Sequence, residues 1–508
     1  MRRFLKLLVI LGIVGLGEQA TAQTYAIVVP ESIGQDAGWN EVARTLAAKQ
    51  TAMGRTVRTI SWKENVPESL GALREIFPEW ICFVVPPELA DRDFVATVHR
   101  VTRDLDDDPY TDSYWGILTG YDAENALRIA KRSDPLVIRR GLGGTSFALS
   151  RFEEGVWYSE SVRNEMESKE KGSEPVRTRN APDDTTRVLA ESLPGADFFV
   201  TSGHATQRNW EIGYAYRNGE FRCRDGHLFG RDTMGVEIPI HATTSRVFLA
   251  VGNCLMGDID GRDAMALAFL NSGGVDQMIG YTVPTWYGYG GWGVLDYFVE
   301  QPGRFSLAES FFAANQAIVF RLERYFPGTL EQVRTAERTK EERVPIRLAL
   351  SEDSKSAGLT QRDAVGLLYD LDTVAFYGDP GWDARLAAQP LDWDQTLSSE
   401  PVDGDPETKT YTLEIVANRE NRENGGIMGS ERGGNCFALV DTNGSQRGGR
   451  PLFVPFPERV DAQSVTVTEG AELRPVITDR FLMVAQPSSE FDRGDGVWRI
   501  RFTARSPE

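Results

Sequence analysis

The chain has 508 residues, more than one hydrophobic core organises, so roughly two to four packed units are expected and a repeat fibre or lone binding module is excluded. Hydrophobic residues make up 41%, charged residues 25% and aromatics 10%, a globular composition that rules out wholesale disorder. With 74 Asp+Glu against 55 Lys+Arg the net charge is −19, and an acidic surface repels phosphate backbones, so no nucleic-acid partner is expected.

At the start of the chain Arg2, Arg3 and Lys6 precede an apolar run, Leu7 to Gly17, that leads into Ala20-Thr21-Ala22. This order reads as a secretory signal peptide over residues 1–22, cleaved after Ala22. The run is shorter than the roughly 20 residues a spanning helix needs. No later run approaches that length, so no membrane span is expected, and no Cys follows the cleavage site to carry a lipid. The expectation is an exported protein, periplasmic, cell-surface or extracellular.

From Tyr25 short β-rich runs alternate with helical stretches. Tyr25–Val29, Arg55–Ser61 and Trp80–Val85 read as strands, with helices around Trp39–Gln50 and Glu68–Ile76 between them. That rhythm implies βαβ units and a parallel sheet, forming an N-terminal α/β subdomain over residues 23–150. Ser159–Thr186 is polar and highly charged, and reads as a solvated loop or insertion.

The α/β pattern resumes in a second subdomain, residues 151–395. Ala196–Thr201, Val247–Val251 and Val275–Val283 are apolar runs of the kind buried parallel strands require. Asp263–Leu270 reads as a helix stopped by Gly273-Gly274, and Ser306–Phe326 as a long helix with one buried face. Ser398–Lys409 reads as a linker. Beyond it Tyr411–Val416, Cys436–Val440, Ser464–Val467, Phe481–Val484 and Trp498–Phe502 read as short strands of a small immunoglobulin-like β-sandwich over residues 400–508.

Cys82, Cys223, Cys254 and Cys436 are too few for a disulfide scaffold and show no CxxC spacing. His99, His204, His227 and His241 form no HExxH, so no metal residue is assigned. The string Gly288-Tyr-Gly-Gly-Trp-Gly293 matches GxGxxG, but no acidic residue ending a following strand supports a dinucleotide site.

Two strand ends carry chemistry. Ser202-Gly203-His204 places a histidine just beyond one buried strand, and Gly252-Asn253-Cys254 places a cysteine just beyond another. Carboxyl ends of parallel strands open on one ligand crevice, where the two side chains can meet. A thiol beside an imidazole is the minimal kit for acyl transfer, the ring serving as acid and base to the sulfur nucleophile. The blander account makes Cys254 a small buried hydrophobe and His204 a loop residue satisfied by backbone. His204 precedes Cys254 by the interval caspases show, about 50 residues.

Several segments, in order, resemble the gingipain-type cysteine peptidases, relatives of caspases and legumains in clan CD. Asp112-Ser-Tyr-Trp-Gly116 looks like that family's Asp-x-x-Tyr-Gly, with Trp115 in place of the Tyr, and Ser202-Gly203-His204 is similar to its Gly-His-Gly. Cys254-Leu-Met-Gly257-Asp258 resembles Cys-x-Asn-Gly-Asp, and Ile279-Gly-Tyr-Thr-Val-Pro-Thr-Trp286 resembles the strand whose Trp lines the specificity pocket. Phe376-Tyr-Gly-Asp379-Pro380 looks like the closing Phe-Gly-Asp-Pro.

The resemblance implies a caspase-like α/β catalytic region in two subdomains. It also implies Cys254 as nucleophile, His204 as general acid/base, and an oxyanion hole from the amides of Cys254 and Ala205. Ala205 stands where the family has Gly, and Asn253 where it has a small residue; if the backbone at 205 required a positive φ, Ala would be strained.

By triad logic a third group orients the imidazole; Glu153, Glu154, Asp183 and Asp184 are the upstream acids considered. No cofactor is expected. Asp258, Asp260 and Asp263 allow a Ca²⁺ loop, against a helix-capping cluster as the plainer account. Trp286, with Thr285 beside it, is expected in the substrate pocket, and Trp286–Trp292 reads either as a flexible substrate wall or as a glycine-rich turn with core aromatics.

These readings converge on an exported cysteine endopeptidase acting on protein or peptide substrates. One alternative is a catalytically inactive pseudo-peptidase or surface-binding protein of the same fold. Another makes the C-terminal sandwich the working part, binding glycan or a secretion partner.

Overall fold

The computed structural model describes residues 23–339, 347–356, 359–391, 393–417, 450–485 and 497–507. The expected signal peptide and the expected strand Cys436–Val440 lie outside the described residues. Among the described residues one sheet holds twelve strands: β1 Thr24–Pro30, β2 Thr56–Trp62, β3 Trp80–Val84, β4 Tyr114–Leu118, β5 Arg140–Gly143, β6 Glu154–Tyr158, β7 Met166–Lys169, β8 Val176–Thr178, β9 Phe198–Gly203, β10 Arg246–Asn253, β11 Val275–Tyr281 and β12 Val374–Tyr377. Their spatial order is β2-β1-β3-β4-β12-β11-β10-β9-β5-β6-β7-β8.

Two parallel blocks make up this sheet. β1 to β4 run parallel and β12 joins them in the same sense. β11, β10, β9, β5 and β6 run parallel to one another, but β11 meets β12 antiparallel. The blocks therefore point their carboxyl ends at opposite edges of the sheet. Only the second block carries the strands that end before His204 and Cys254.

Local sequence explains the central position of that block. β10 and β11 are buried along almost their whole length, as strands covered by helices on both faces must be. Met265–Leu270 and Tyr289–Val299 are wholly buried helices that cover them. The long helix Leu307–Tyr325 starts at a capping box: the Ser306 hydroxyl accepts from the Glu309 amide, and the Glu309 carboxylate accepts from the Ser306 amide at 2.6 Å.

Two expectations about polar stretches need correction. Ser159–Thr186 is not loop throughout, because β7 and β8 within it extend the sheet antiparallel from β6. Ser398–Lys409 is not a linker but part of a hairpin between strands Trp393–Val402 and Asp405–Ala417. The two residues between the strands are Asp403 and Gly404, and Gly404 holds φ +83°, the conformation a tight hairpin turn demands. Exposed polar side chains along Trp393–Val402 gave the segment its linker-like composition.

Asn209–Glu211, Glu220–Arg224, His227–Arg231 and Glu237–Ile240 form a separate four-stranded antiparallel sheet, inserted between β9 and β10. At the C-terminus a sheet of four strands, Trp393–Val402, Asp405–Ala417, Val497–Arg505 and Thr466–Glu469, faces one of three, Leu452–Pro455, Phe481–Val484 and Val476–Ile477. Tyr411, Leu413, Ile500 and Phe502 share a core with Leu452, Val454, Leu482 and Val484, which makes this a sandwich. Alternate residues of the three-stranded sheet, Phe453, Phe481 and Met483, belong instead to the main core. The sandwich is thus docked through its own inner strands, and the Arg450–Asp296 ion pair (3.1 Å) is buried at the junction.

Candidate functional site

β9 and β10 are hydrogen-bonded neighbours with Gly203 opposite Asn253, so His204 and Cys254 leave adjacent strands at the same level of one edge. Gly203 adopts φ +96°, which only glycine takes without strain, and turns the chain out of the sheet before the histidine. Asn253 is fully buried. Its Oδ1 accepts from Thr201 Oγ1 at 2.5 Å and its Nδ2 donates to the Gly203 carbonyl at 3.2 Å. Asn253 therefore serves as a clamp between the two strand ends.

The segment after β11 closes the site from the other side. The Thr285 amide donates to Cys254 Sγ at 3.2 Å, and Thr285 Oγ1 donates to the Asn253 carbonyl at 3.1 Å. Beyond the cysteine the amides of Leu255 and Gly257 donate to the carbonyls of Val283 and Tyr281. Leu255 holds φ +57°, sparsely populated for a branched side chain, so the turn is over-determined by those bonds. Gly257 permits a close crossing, since a Cβ there would meet the Gly280 carbonyl oxygen at 2.3 Å.

Cys254 is half-buried and His204 is exposed. The His204 ring lies against Tyr214, centroids 4.8 Å apart and planes at 31°, and its carbonyl accepts from the Glu211 amide at 2.9 Å. Among the described residues the His204 ring and Cys254 Sγ share no hydrogen bond. The following loop is pinned by buried Trp210, whose Nε1 donates to the Ser202 carbonyl at 2.9 Å while the residue bridges to Ala205. Ala205 is not among the residues of positive φ; that conformation falls two positions earlier, at Gly203, so the expected strain at 205 is absent.

Trp286 is 68% exposed and follows Thr285, whose amide meets the thiol. The rest of its segment is core. Tyr289 and Trp292 are buried, and a Cβ at Gly291 would lie 2.3 Å from the Val251 carbonyl, so the glycines let a helix pack directly on β10. The reading as a flexible wall holds for none of Tyr289–Trp292.

The four acids considered as orienting groups are engaged elsewhere. Glu153 pairs with Arg139 (2.9 Å) and Lys171 (2.8 Å), and Glu154 with Arg140 (2.6 Å). Asp183 accepts from Asn164 Nδ2 at 2.7 Å, and Asp184 from the amides of Thr186 and Thr233. The carboxylates of the 258–263 segment also go separate ways: Asp258 to Gln207, Asp260 to Arg208, and Asp263 to the Asp225 amide. Burial pushes the Cys82 thiol upward and the Cys223 thiol up to about 11. Cys436 lies outside the described residues.

Sequence reasoning missed Thr285 as the sulfur's hydrogen-bond donor, Tyr214 as the ring's neighbour and Asn253 as the clamp. No family profile and no curated protein matches the chain. Among solved structures it is similar to the crystal structure of the Arg-specific cysteine proteinase gingipain R, at 9% identity and a TM-score of 0.40 over 93% of each chain. It is also similar to the complex of Porphyromonas gingivalis RgpB pro- and mature domains, at 11% identity and a TM-score of 0.34, covering 92% of this chain and 94% of that one.

Proposed function

We propose that this protein is an exported cysteine endopeptidase that uses Cys254 and His204. The observation that carries the reading is the register of β9 and β10, which sets the two residues side by side at one carboxyl edge. His204 takes the proton of the Cys254 thiol, and the thiolate Sγ attacks the scissile carbonyl carbon, the C–S bond forming as the C=O π pair moves to the oxygen as negative charge. The amides of Cys254 and Ala205 receive that oxyanion. His204 gives a proton to the departing amine as the C–N bond breaks, leaving a thioester. His204 then takes a proton from water, the hydroxide displaces the sulfur, and the acid product leaves. In this reading exposed Trp286, next in the chain to Thr285 at the thiol, packs a substrate side chain. Export rests on the charged and apolar order of residues 1–22.

The test is alkylation with iodoacetamide while peptide turnover is followed. Loss of turnover in step with modification of Cys254, read by mass spectrometry, supports the reading; full alkylation of Cys254 with unchanged turnover overturns it.

One observation favours a second reading. Cys254 Sγ is bonded to the Thr285 amide and not to the imidazole, as in a protein that keeps the fold but has lost turnover. A peptide library left intact by the folded wild type selects that binding role.

A further inference from the structure

We infer that Asp106, Asp112 and Asp479 form a Ca²⁺ site that fastens the C-terminal sandwich to the N-terminal α/β block. One carboxyl oxygen from each lies within 4.8 Å of the other two. Ca²⁺ binds oxygen at about 2.3–2.6 Å, so ligands on one ion stand at most about 4.6–5.2 Å apart, and this triangle fits. Asp106 and Asp112 belong to the loop between the helix Arg92–Arg103 and β4, while Asp479 lies between the strands Val476–Ile477 and Phe481–Val484 of the sandwich.

Proximity of acids alone would say little, but Asp112 is 3% exposed and its enclosed Oδ2 has no hydrogen-bond partner among the described residues. A buried carboxylate oxygen without a donor is costly, and here it stands beside two further carboxyl groups. Asp479, 5% exposed, accepts at Oδ2 from Arg459 Nε at 2.8 Å, with Arg480 Nε 4.0 Å away. Arg480 spends its Nη2 on the carbonyls of Phe77 and Pro78. Asp106 Oδ1 accepts from the Asp108 amide at 2.8 Å. One hydrogen-bonded guanidinium thus faces three carboxylates, and a divalent cation supplies the positive charge and the missing partner for Asp112 together.

The alternative is that the three carboxyls share protons. Full-length protein stripped with EDTA is titrated with CaCl₂ by calorimetry and then melted with and without Ca²⁺. The site predicts one stoichiometric binding event and a rise in Tm of several degrees by mass action. Asp106→Asn and Asp479→Asn each abolish both signals, whereas Asp260→Asn, in the other acidic cluster, keeps them. Asp112→Asn repeats the loss if it folds, and the variant at half-buried Asp106 decides the matter if it does not. No Ca²⁺ response in the wild type, or a response that survives both Asp106→Asn and Asp479→Asn, overturns the site.

Discussion

Asn253, the residue before the candidate nucleophile, holds Gly203, the residue before the candidate acid/base: its Nδ2 donates to the Gly203 carbonyl at 3.2 Å while its Oδ1 accepts from Thr201. The clamp fixes the spacing of the two strand ends from inside the sheet, where neither substrate nor solvent reaches it.

Asn253→Ala should therefore act on both stability and turnover. Losing two buried hydrogen bonds costs about 1–3 kcal/mol, measured as a shift in urea midpoint. Released strand ends should lower kcat/KM about tenfold or more, equivalent to at least about 1.4 kcal/mol of transition-state stabilisation. Unchanged turnover in the variant would show that the clamp is purely structural.

Gly203 and Ala205 should respond unequally to exchange. Gly203→Ala meets no clash, its Cβ in ordinary contact with the Glu211 carbonyl and Tyr214 Cβ at 3.7 Å, yet must hold φ +96°, so about 1–3 kcal/mol of strain is expected in the denaturation midpoint. Ala205→Gly changes a position where no positive φ is required, so turnover should stay within about twofold and stability should fall by about 1 kcal/mol or less.

His99 predicts a pH dependence. It is buried against Trp115 and Phe311, with Nε2 2.9 Å from the Val374 carbonyl, and faces Asp372, Arg103 and Arg100. Burial pulls its pKa down to about 4. Between that value and the ordinary imidazole range near 6.5 the unfolded chain binds the extra proton, so stability rises with pH across the window and is lost on acidification. The change is of order 3 kcal/mol. Urea midpoints at pH 4.5 and 7 should differ less in a folded His99→Gln variant than in the wild type.

Deleting residues 400–508 should unfold the rest. Phe453, Phe481 and Met483 sit in the main core, where losing a single Phe side chain typically costs about 3–5 kcal/mol. The cut also strands buried Asp296 without Arg450. The truncated chain should show no cooperative melt by circular dichroism; a sharp transition near the wild-type Tm would show that the α/β region folds alone.

What was legible in the sequence follows from burial. β9, β10 and β11 are near-continuous apolar runs because helices cover both faces, and such runs stand out without any knowledge of partners. Asn209–Glu211 and its neighbours are short and partly exposed, so that sheet left no apolar run to read. Asp403-Gly404 was a readable hairpin signal, masked by the polar residues around it. The positions of His204 and Cys254 were legible as strand ends. The roles of Asn253 and Thr285 depend on which strands become neighbours, and no local pattern encodes that.

Digestion of a mixed peptide library by the wild type, Cys254→Ala and His204→Ala, with Tm values matched to show that all three fold, tests the central claim most directly. The account predicts cleavage by the wild type alone. Cleavage at the wild-type rate by Cys254→Ala would contradict it.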